Sequence, residues 1–447
     1  MLIREEVFSS LFILLLAFIY IFHDIILKND EWGKEKSLKT IIPKIRVKNF
    51  LEAWTRKKLQ SLAPLRGGFA FKSEKFQNVG IPIVRISNIG FDGTVGGEFE
   101  YYSKLNPDEK FVLKGRSLLL AMSGATTGKI AMLDSEEEYY QNQRVGYFQN
   151  NGAVDYDFLS SVLQTTAFTN QLNAVLVAGA QPNISSKEID SFEFCIPESI
   201  EEQSAIGTLF CTLDDLLGSY KDNLANYQSL KATMLSKMFP KAGQTVPEIR
   251  LDGFEGEWEV QTLKELASFS KGNGYTKNDL VNSGEEIILY GRLYTNYQTV
   301  ISKVNTFVTT VKANAVISKG GEVIVPASGE SAEDISRASV VEKSGVILGG
   351  DLNIIYPDEN KVDSIFLALT ISNGSQQKEL IKRAQGKSVV HLRNNDLEKV
   401  VLHYPSMEEQ QAIGTYFSNL DNLIAAHQEK ISQLETLKKK LLQDMFI

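Results

Sequence analysis

Glu201–Tyr220 reads EEQSAIGTLFCTLDDLLGSY, and Glu408–His427 reads EEQQAIGTYFSNLDNLIAAH. Each opens a long helical stretch that closes alike, SLKATMLSKMF ending at Phe239 and TLKKKLLQDMF ending at Phe446. Displaced by 207 residues, Glu201 falls on Glu408, Gln203 on Gln410, Gly207 on Gly414, Phe210 on Phe417, Asp214 on Asp421, Lys231 on Lys438 and Phe239 on Phe446. A period this long excludes a solenoid. It is one half-protein written twice.

Each copy carries an apolar seam. Leu213, Leu216, Tyr220, Tyr227, Leu230 and Met234 alternate at steps of three and four, as do Leu420, Leu423, His427, Leu434, Leu437 and Leu441. That spacing is the a/d pattern of a coiled coil. Asn223 and Lys430 interrupt it at matching places, and a polar seam residue fixes register at a cost in stability. Two helices with one pattern predict pairing with each other; an amphipathic helix lying on a domain core is the competing reading.

Working outward, a second repeat stands ahead of each helix. PKIRVKNFLEAWTRKKLQSLA begins at Pro43 and PEIRLDGFEGEWEVQTLKELA at Pro247, a shift of 204 that aligns Arg46 with Arg250, Phe50 with Phe254 and Trp54 with Trp258. The Trp and Phe predict a small aromatic staple at the start of each domain. Between entrance and helix the first half reads as short strands and polar turns. Ile81–Ile89 alternates as a strand, SLLLAMSG is a buried strand closed by glycine, VGYFQ is a strand, Tyr156–Asn173 is helical, and Phe192–Ile196 is a strand stopped by Pro197. The second half repeats the plan: Lys271–Lys277 for GGFAFK, Leu289–Tyr294 for IVRISNI, EVIVPASG for SLLLAMSG, and Gly386–Asn394 for the loop Gly179–Asn183. The fold class expected is α+β, with segments at 1–40, 41–197, 198–240, 241–405 and 406–447. A repeated framework with differing loops is the pattern for one scaffold reading two things.

The chain has 447 residues, 43% hydrophobic and 23% charged, with a formal net charge of −8. That length suits two or three globular domains. Two cysteines and four histidines exclude a disulfide framework, offer no metal cluster and fit a reducing, cytoplasmic compartment. The acidic balance argues against a protein that coats nucleic acid but leaves room for local basic faces. Val7–Phe22 carries no charge, and Ile25–Leu27 extends it past His23 and Asp24. It is near the lower limit for a membrane span and lacks a cleavage site. Three readings stay open: a membrane anchor within residues 7–27, an apolar appendage, or upstream sequence ahead of a working start near Leu38.

No catalytic constellation stands out. GATTGK (Gly124–Lys129) has one residue too few between its glycines for a phosphate loop, and Ile130 follows the lysine. Gly272-Asn273-Gly274 lacks the rest of a dinucleotide fingerprint. Ser123 and Ser328 have no histidine that a motif positions. No cofactor and no small-molecule substrate are expected. Base readout uses Arg, Lys, Asn, Gln and Ser on loop tips. The first half offers Lys72, Arg85, Asn88, Lys129, Asn142, Gln143, Arg144, Gln181 and Asn183; the second offers Lys271, Asn273, Tyr275, Lys277, Arg292, Lys387, Ser388, His391 and Arg393.

The doubled PxIR…F…W entrance, VRISNIG, KGRSLLLAMSGATTGKIA, GAQPNIS, and the EEQSAIG and EEQQAIG helix starts resemble the DNA-specificity subunits of type I restriction–modification systems, from Pro43 to Ile447. The resemblance implies two target recognition domains joined by two long antiparallel coiled-coil helices that act as a spacer, with an internal pseudo-two-fold repeat. It implies double-stranded DNA with a split site as the ligand. The implied partners are methyltransferase subunits, two of them, and restriction (motor–nuclease) subunits; the chain itself is non-catalytic. The family pattern lacks the apolar stretch before Lys28, which favours the upstream-sequence reading. A seam of ~26 residues at ~1.5 Å each spans ~39 Å, close to one DNA turn of ~34–36 Å. The partner-docking and spacer surface is expected on Glu201, Glu202, Gln203, Leu213, Tyr220 and Leu230, and on Glu408, Glu409, Gln410, Leu420, His427 and Leu437. The alternative is a membrane-tethered coiled-coil adaptor, and an unrecognised enzyme is a further rival.

Overall fold

The computed structural model describes residues 27–28, 42–177, 183–386 and 389–447. The apolar stretch Val7–Phe22 lies outside them, as do Gln181, Lys387 and Ser388. Among the described residues no helix is long and apolar enough to cross a membrane. The chain divides into two units, Met1–Lys221 with Lys430–Ile447, and Asp222–Glu429. Both boundaries fall inside the long helices, Ile200–Lys237 and Met407–Asp444, each of 38 residues. At ~1.5 Å per residue each helix is ~57 Å long, more than the seam alone suggests.

In the first unit two four-stranded sheets carry the recurring framework. One orders Glu100–Tyr102, Ile81–Val84, Tyr139–Gln141 and Val112–Leu113; the other orders Leu65–Gly67, Val145–Phe148, Ser117–Ala121 and Ile130–Leu133. Ser117–Ala121 is buried along its length, as a strand covered on both faces must be. The expected strand Ile81–Ile89 stops at Val84, because Asn88 folds the chain into a 3-10 turn, accepting from Arg85 N and donating to Gly96 O and Glu98 O. The expected helix Tyr156–Asn173 is two helices, Tyr156–Val162 and Thr166–Val177. Thr165 lies at the break, its hydroxyl donating to Val162 O.

The second unit repeats the plan with two five-stranded sheets. Glu322–Pro326 is its fully buried strand, paired antiparallel with Leu352–Pro357. Ile287 and Ile288 pair in parallel with Ile347 and Leu348, as Ile83 and Val84 pair with Tyr140 and Gln141 in the first unit. Leu289–Tyr294 is no strand: it is a turn leading into a short helix, Arg292–Thr295.

Each entrance strand, Thr55–Lys58 or Glu259–Thr262, pairs antiparallel with the strand ahead of a long helix, Glu193–Ile196 or Val401–Tyr404. The aromatic staple forms, with different partners from those expected. In the first unit Trp54 packs edge-on against Phe158 and Phe446, both at 6.2 Å, and Phe446 also meets Phe158 and Phe210. In the second, Trp258 packs against Phe366 and Phe239, and Phe239 meets Phe366 and Phe417. So the last residues of the C-terminal helix close the first core, and the end of the central helix closes the second.

The helices pair antiparallel within each unit. In the first, Lys221 bonds Glu435 at 2.9 Å, Asp214 bonds Lys438, and Phe210 meets Phe446, so one number falls as the other rises. In the second, Tyr227 meets His427, Lys231 bonds Asp421, and Phe239 meets Phe417. Asp214–Lys438 in the first unit and Asp421–Lys231 in the second are the same contact with its repeat partners exchanged. Leu213, Leu216, Leu420, Leu434 and Leu441 are buried. Leu230 and Leu423, expected in the seam, are 37% and 40% exposed. A pair of helices encloses its seam from two sides only, and full burial needs the domain core as well.

Candidate nucleic-acid interface

The helix starts are anchors for the domains rather than a free docking surface. Arg46 places Nε and Nη2 on the two carboxylate oxygens of Glu202 at 2.7 and 2.8 Å, and Trp54 Nε1 donates to the same carboxylate. Gln203 accepts from Asp155 N and donates to Pro197 O. The second unit repeats this: Arg250 grips Glu409, and Gln410 accepts from Asp363 N and donates to Lys361 O and Pro405 O. Glu202, Gln203, Glu409 and Gln410 are buried, which corrects their assignment to a partner surface. The carboxylates and amides are consumed in fixing each helix to its entrance segment. Only Glu201 and Glu408 of these six are exposed; Ser199 donates to Glu201 and holds its carboxyl below the usual range.

The loops expected to read bases do converge in the first unit, through backbone hydrogen bonds. Phe69 N donates to Gln141 O, and Asn142 N donates to Val84 O. Met122 N donates to Arg144 O, Ile184 N donates to Met122 O, and Ser123 pairs with Asn183. One edge therefore collects the tips at Lys72, Arg85, Lys129, Asn142–Arg144 and Asn183. The turn at 142–144 is held from below by buried Gln141, whose amide donates to Arg66 O and Val145 O while Arg66 Nε donates to its carbonyl.

Lys72, Gln143, Arg144 and Asn183 are exposed there, and Asn142 is half-buried. Arg85 is half-buried and 3.5 Å from Glu100. Lys129 lies over the ring of Phe91, Nζ 3.1 Å from the centroid. The GATTGK segment is a three-residue 3-10 turn, Gly124–Thr126, too short to wrap a phosphate. Asn88 is a correction: it is 3% exposed and its amide is spent on the turn.

In the second unit the same edge holds Lys271, Asn273, His391 and Arg393, all exposed. Gly272 N donates to Leu352 O, Ala327 N to Asp351 O, and Leu392 N to Ala327 O, while Ser328 pairs with His391. Buried Asn353 ties this strand to the last loop by donating to Leu392 O. Lys277 is exposed at a 3-10 turn. Two residues are corrections. Tyr275 is 4% exposed, its hydroxyl donating to Thr310 O and accepting from Lys312 N. Arg292 turns inward to Asn305, Gln298 and Lys303 O, and burial lowers its pKa.

Glycines allow the close crossings that build both edges. A Cβ on Gly68 would lie 2.1 Å from Asn142 O, and one on Gly272 would lie 1.9 Å from Gly349 O. The crossing identifies the turn Gly349–Asp351 as the counterpart of Asn142–Arg144, a loop the sequence reading missed. The 207-residue shift already aligns Val145 with Leu352 and marks the place. Phe91, 90% exposed beside Lys129, was missed too, because an apolar residue carries no polar-readout signal.

Two units of one plan, each displaying polar loop tips at one edge and each closed by a shared helix pair, define a protein of two matched readers. Comparison with known proteins agrees. The type I restriction modification DNA specificity domain matches residues 51–226 and again 255–436, and the chain belongs to that family. It is 21% identical over 349 residues to the type I restriction enzyme MjaVIII specificity subunit of Methanocaldococcus jannaschii, covering 75% of this chain and 79% of that one. It is 22% identical over 425 residues to the EcoBI specificity subunit of Escherichia coli, covering 88% and 86%. In fold it is similar to the crystal structure of a type I restriction–modification S subunit from M. genitalium, with TM-score 0.60, 15% identity, and coverage of 91% of this chain and 99% of that one.

Proposed function

We propose that this chain reads a bipartite DNA target, one half-site per unit, and directs the methyltransferase and restriction subunits of a type I complex while performing no chemistry itself. One observation carries the reading: the same backbone ladder recurs in both units but displays different exposed side chains, Gln143 and Arg144 in one, Asp351 in the other. A repeated scaffold with unlike tips recognises two unlike sequences. Within that reading, Lys72, Gln143, Arg144 and Asn183, and Lys271, Asn273, His391 and Arg393, face the duplex. Base specificity comes from such side chains at the groove edges, and phosphate contacts fix register. The long helices set the gap between half-sites, and methyltransferase subunits dock on their exposed faces near Glu201 and Glu408. Partner subunits that supply phosphate contacts reconcile the charge of −8 with binding to a polyanion.

The test is adenine-methylation mapping in cells that express this chain with the methyltransferase subunit of its own operon. The expected result is a split, asymmetric motif that disappears when the chain is deleted. Exchanging residues 64–196 for the corresponding segment of another family member changes one half only. Deleting one heptad from Tyr220–Leu230 together with its match in His427–Leu437 changes the gap and leaves both halves intact. A motif that persists without the chain overturns the proposal.

A further inference from the structure

Arg144 and Asp351 occupy the same place in the two units, although sequence comparison pairs a guanidinium with a carboxylate. Arg144 O accepts from Met122 N at 2.9 Å, and Met122 O accepts from Ile184 N at 3.0 Å. Asp351 O accepts from Ala327 N at 2.8 Å, and Ala327 O accepts from Leu392 N at 3.0 Å. Each residue precedes a buried strand, Val145–Phe148 or Leu352–Pro357, and each follows a strand end paired in parallel. Each turn is crossed by the equivalent glycine, Gly68 or Gly272. Both side chains are exposed.

A carboxylate at this edge is unusual in one respect. Facing a duplex, it is repelled by phosphates and gains only where it meets a hydrogen-bond donor. Its backbone has φ +56°, a conformation that Asp, Asn and Gly tolerate best, so a turn role alone accounts for a small residue here. It does not account for a charge. In the first unit the exposed Asp92 carboxylate is taken up by Thr94, whereas among the described residues nothing donates to the Asp351 carboxylate. The residues around it, Lys271, His391 and Arg393, are exposed cations or neutral donors on the same edge. They offset its repulsion from the backbone phosphates without covering it.

Resting on the two-reader proposal, we propose that Asp351 is a base-reading residue of the second unit. It accepts from the exocyclic amino group of a cytosine in the major groove, at the position where Arg144 addresses base acceptors in the first unit. The pairing follows from donor–acceptor chemistry: acidic side chains accept from cytosine N4, and arginine donates to guanine O6 and N7. The two half-sites then differ in polarity at equivalent positions, and one framework is made to read two sequences by reversing one charge.

The test uses the full chain in complex with its methyltransferase subunit. Competition binding is measured on DNA carrying the mapped motif and each single base-pair change, for wild type, Asp351→Asn, Asp351→Gly and Arg144→Gln. Asn and Gly both suit the left-handed backbone, so fold is preserved. Both Asp351 variants are expected to reduce discrimination at one C·G pair of one half-site by about 5- to 150-fold, the range for a single good base contact, with the other half-site read as before. Arg144→Gln does the same in the opposite half. A mapped motif read identically by wild type and both Asp351 variants overturns this assignment and leaves the two-reader proposal standing. So does a loss spread evenly over all positions, which marks a structural role. A wild-type complex that imposes no split motif overturns both.

Discussion

Gly207 and Gly414 are the same residue of the repeat, and replacing each with alanine should change stability in opposite directions. In a helix interior, alanine is favoured over glycine by ~1 kcal/mol. Against that stands what a Cβ would meet. At Gly207 it would lie 2.6 Å from Phe158 N, 2.8 Å from Asp155 Oδ1 and 2.8 Å from Asp157 Cβ. These atoms are the rigid first turn of Tyr156–Val162 and its cap, since Asp155 accepts from Asp157 N and Phe158 N. Overpacking costs ~1–3 kcal/mol, and a displaced N-cap adds ~1 kcal/mol. The net expectation for Gly207→Ala is a loss of about 1–3 kcal/mol. At Gly414 the nearest atoms, Asp363 Oδ1 and Ile365 Cβ, stand at 3.4 Å, ordinary contact. Most of the propensity gain survives, and Gly414→Ala should stabilise by about 0.5–1 kcal/mol.

Calorimetry on the full chain gives the sign, and hydrogen exchange locates it. At ~2–4 °C per kcal/mol for units of this size, Gly207→Ala lowers the transition of the first unit by several degrees and speeds exchange at 156–163. Gly414→Ala raises the second transition slightly and leaves exchange at 364–371 unchanged or slower. A Gly207→Ala protein as stable as wild type, with unaltered exchange, refutes the claim that the long helix and the capped helix are in backbone contact there.

Removing one member of a buried ion pair leaves the other uncompensated, at ~3–5 kcal/mol. Glu202→Ala, which strands Arg46 at 5% exposure, should therefore destabilise the first unit by that amount in urea unfolding. The loss should be smaller for Glu409→Ala, because the Arg250 side chain is 16% exposed. Phe446→Ala should destabilise the first unit and Phe239→Ala the second, each by about 2–4 kcal/mol, so limited proteolysis of Phe446→Ala should open the first unit, although the substitution lies at the far end of the chain. Arg116 and the Cys211 thiol hold the Asp157 carboxyl below its ordinary value. A depressed folded-state pKa gives stability that is complete above the unfolded value near ~4 and is lost as pH falls through the folded one. Asp157→Asn should accordingly lower Tm at pH 7 and flatten its decline below ~pH 4, and an unchanged acid limb would count against the ion pair.

The duplication, the two long helices and the α+β character were all legible in the chain, because each depends on local pattern. A repeat shows as identity at a fixed shift, and a seam shows as spacing. Sheets read less well: Ile81–Ile89 reads as one strand, yet the strand stops at Val84 and Asn88 folds the chain into a turn by satisfying backbone groups as far as ten residues away. Of the residues chosen for base readout, polarity alone could not separate Arg144, on a tip, from Asn88 or Arg292, turned inward. Glu202, Gln203, Glu409 and Gln410 read as a solvent-facing helix start and prove to be its buried anchors.

What sequence determined by itself was the pair of half-proteins and the matching seam of their two long helices, since both show as identity and spacing at a fixed shift; the antiparallel contacts Asp214–Lys438 and Lys231–Asp421 are seen only in the structure. Tertiary structure alone decided which polar side chains remain for a ligand. Burial and hydrogen bonding depend on residues more than a hundred positions away, as Arg46 and Glu202 do. The 207-residue shift places Arg144 on Asp351, but only the backbone ladder shows that both stand on an exposed turn at the same edge.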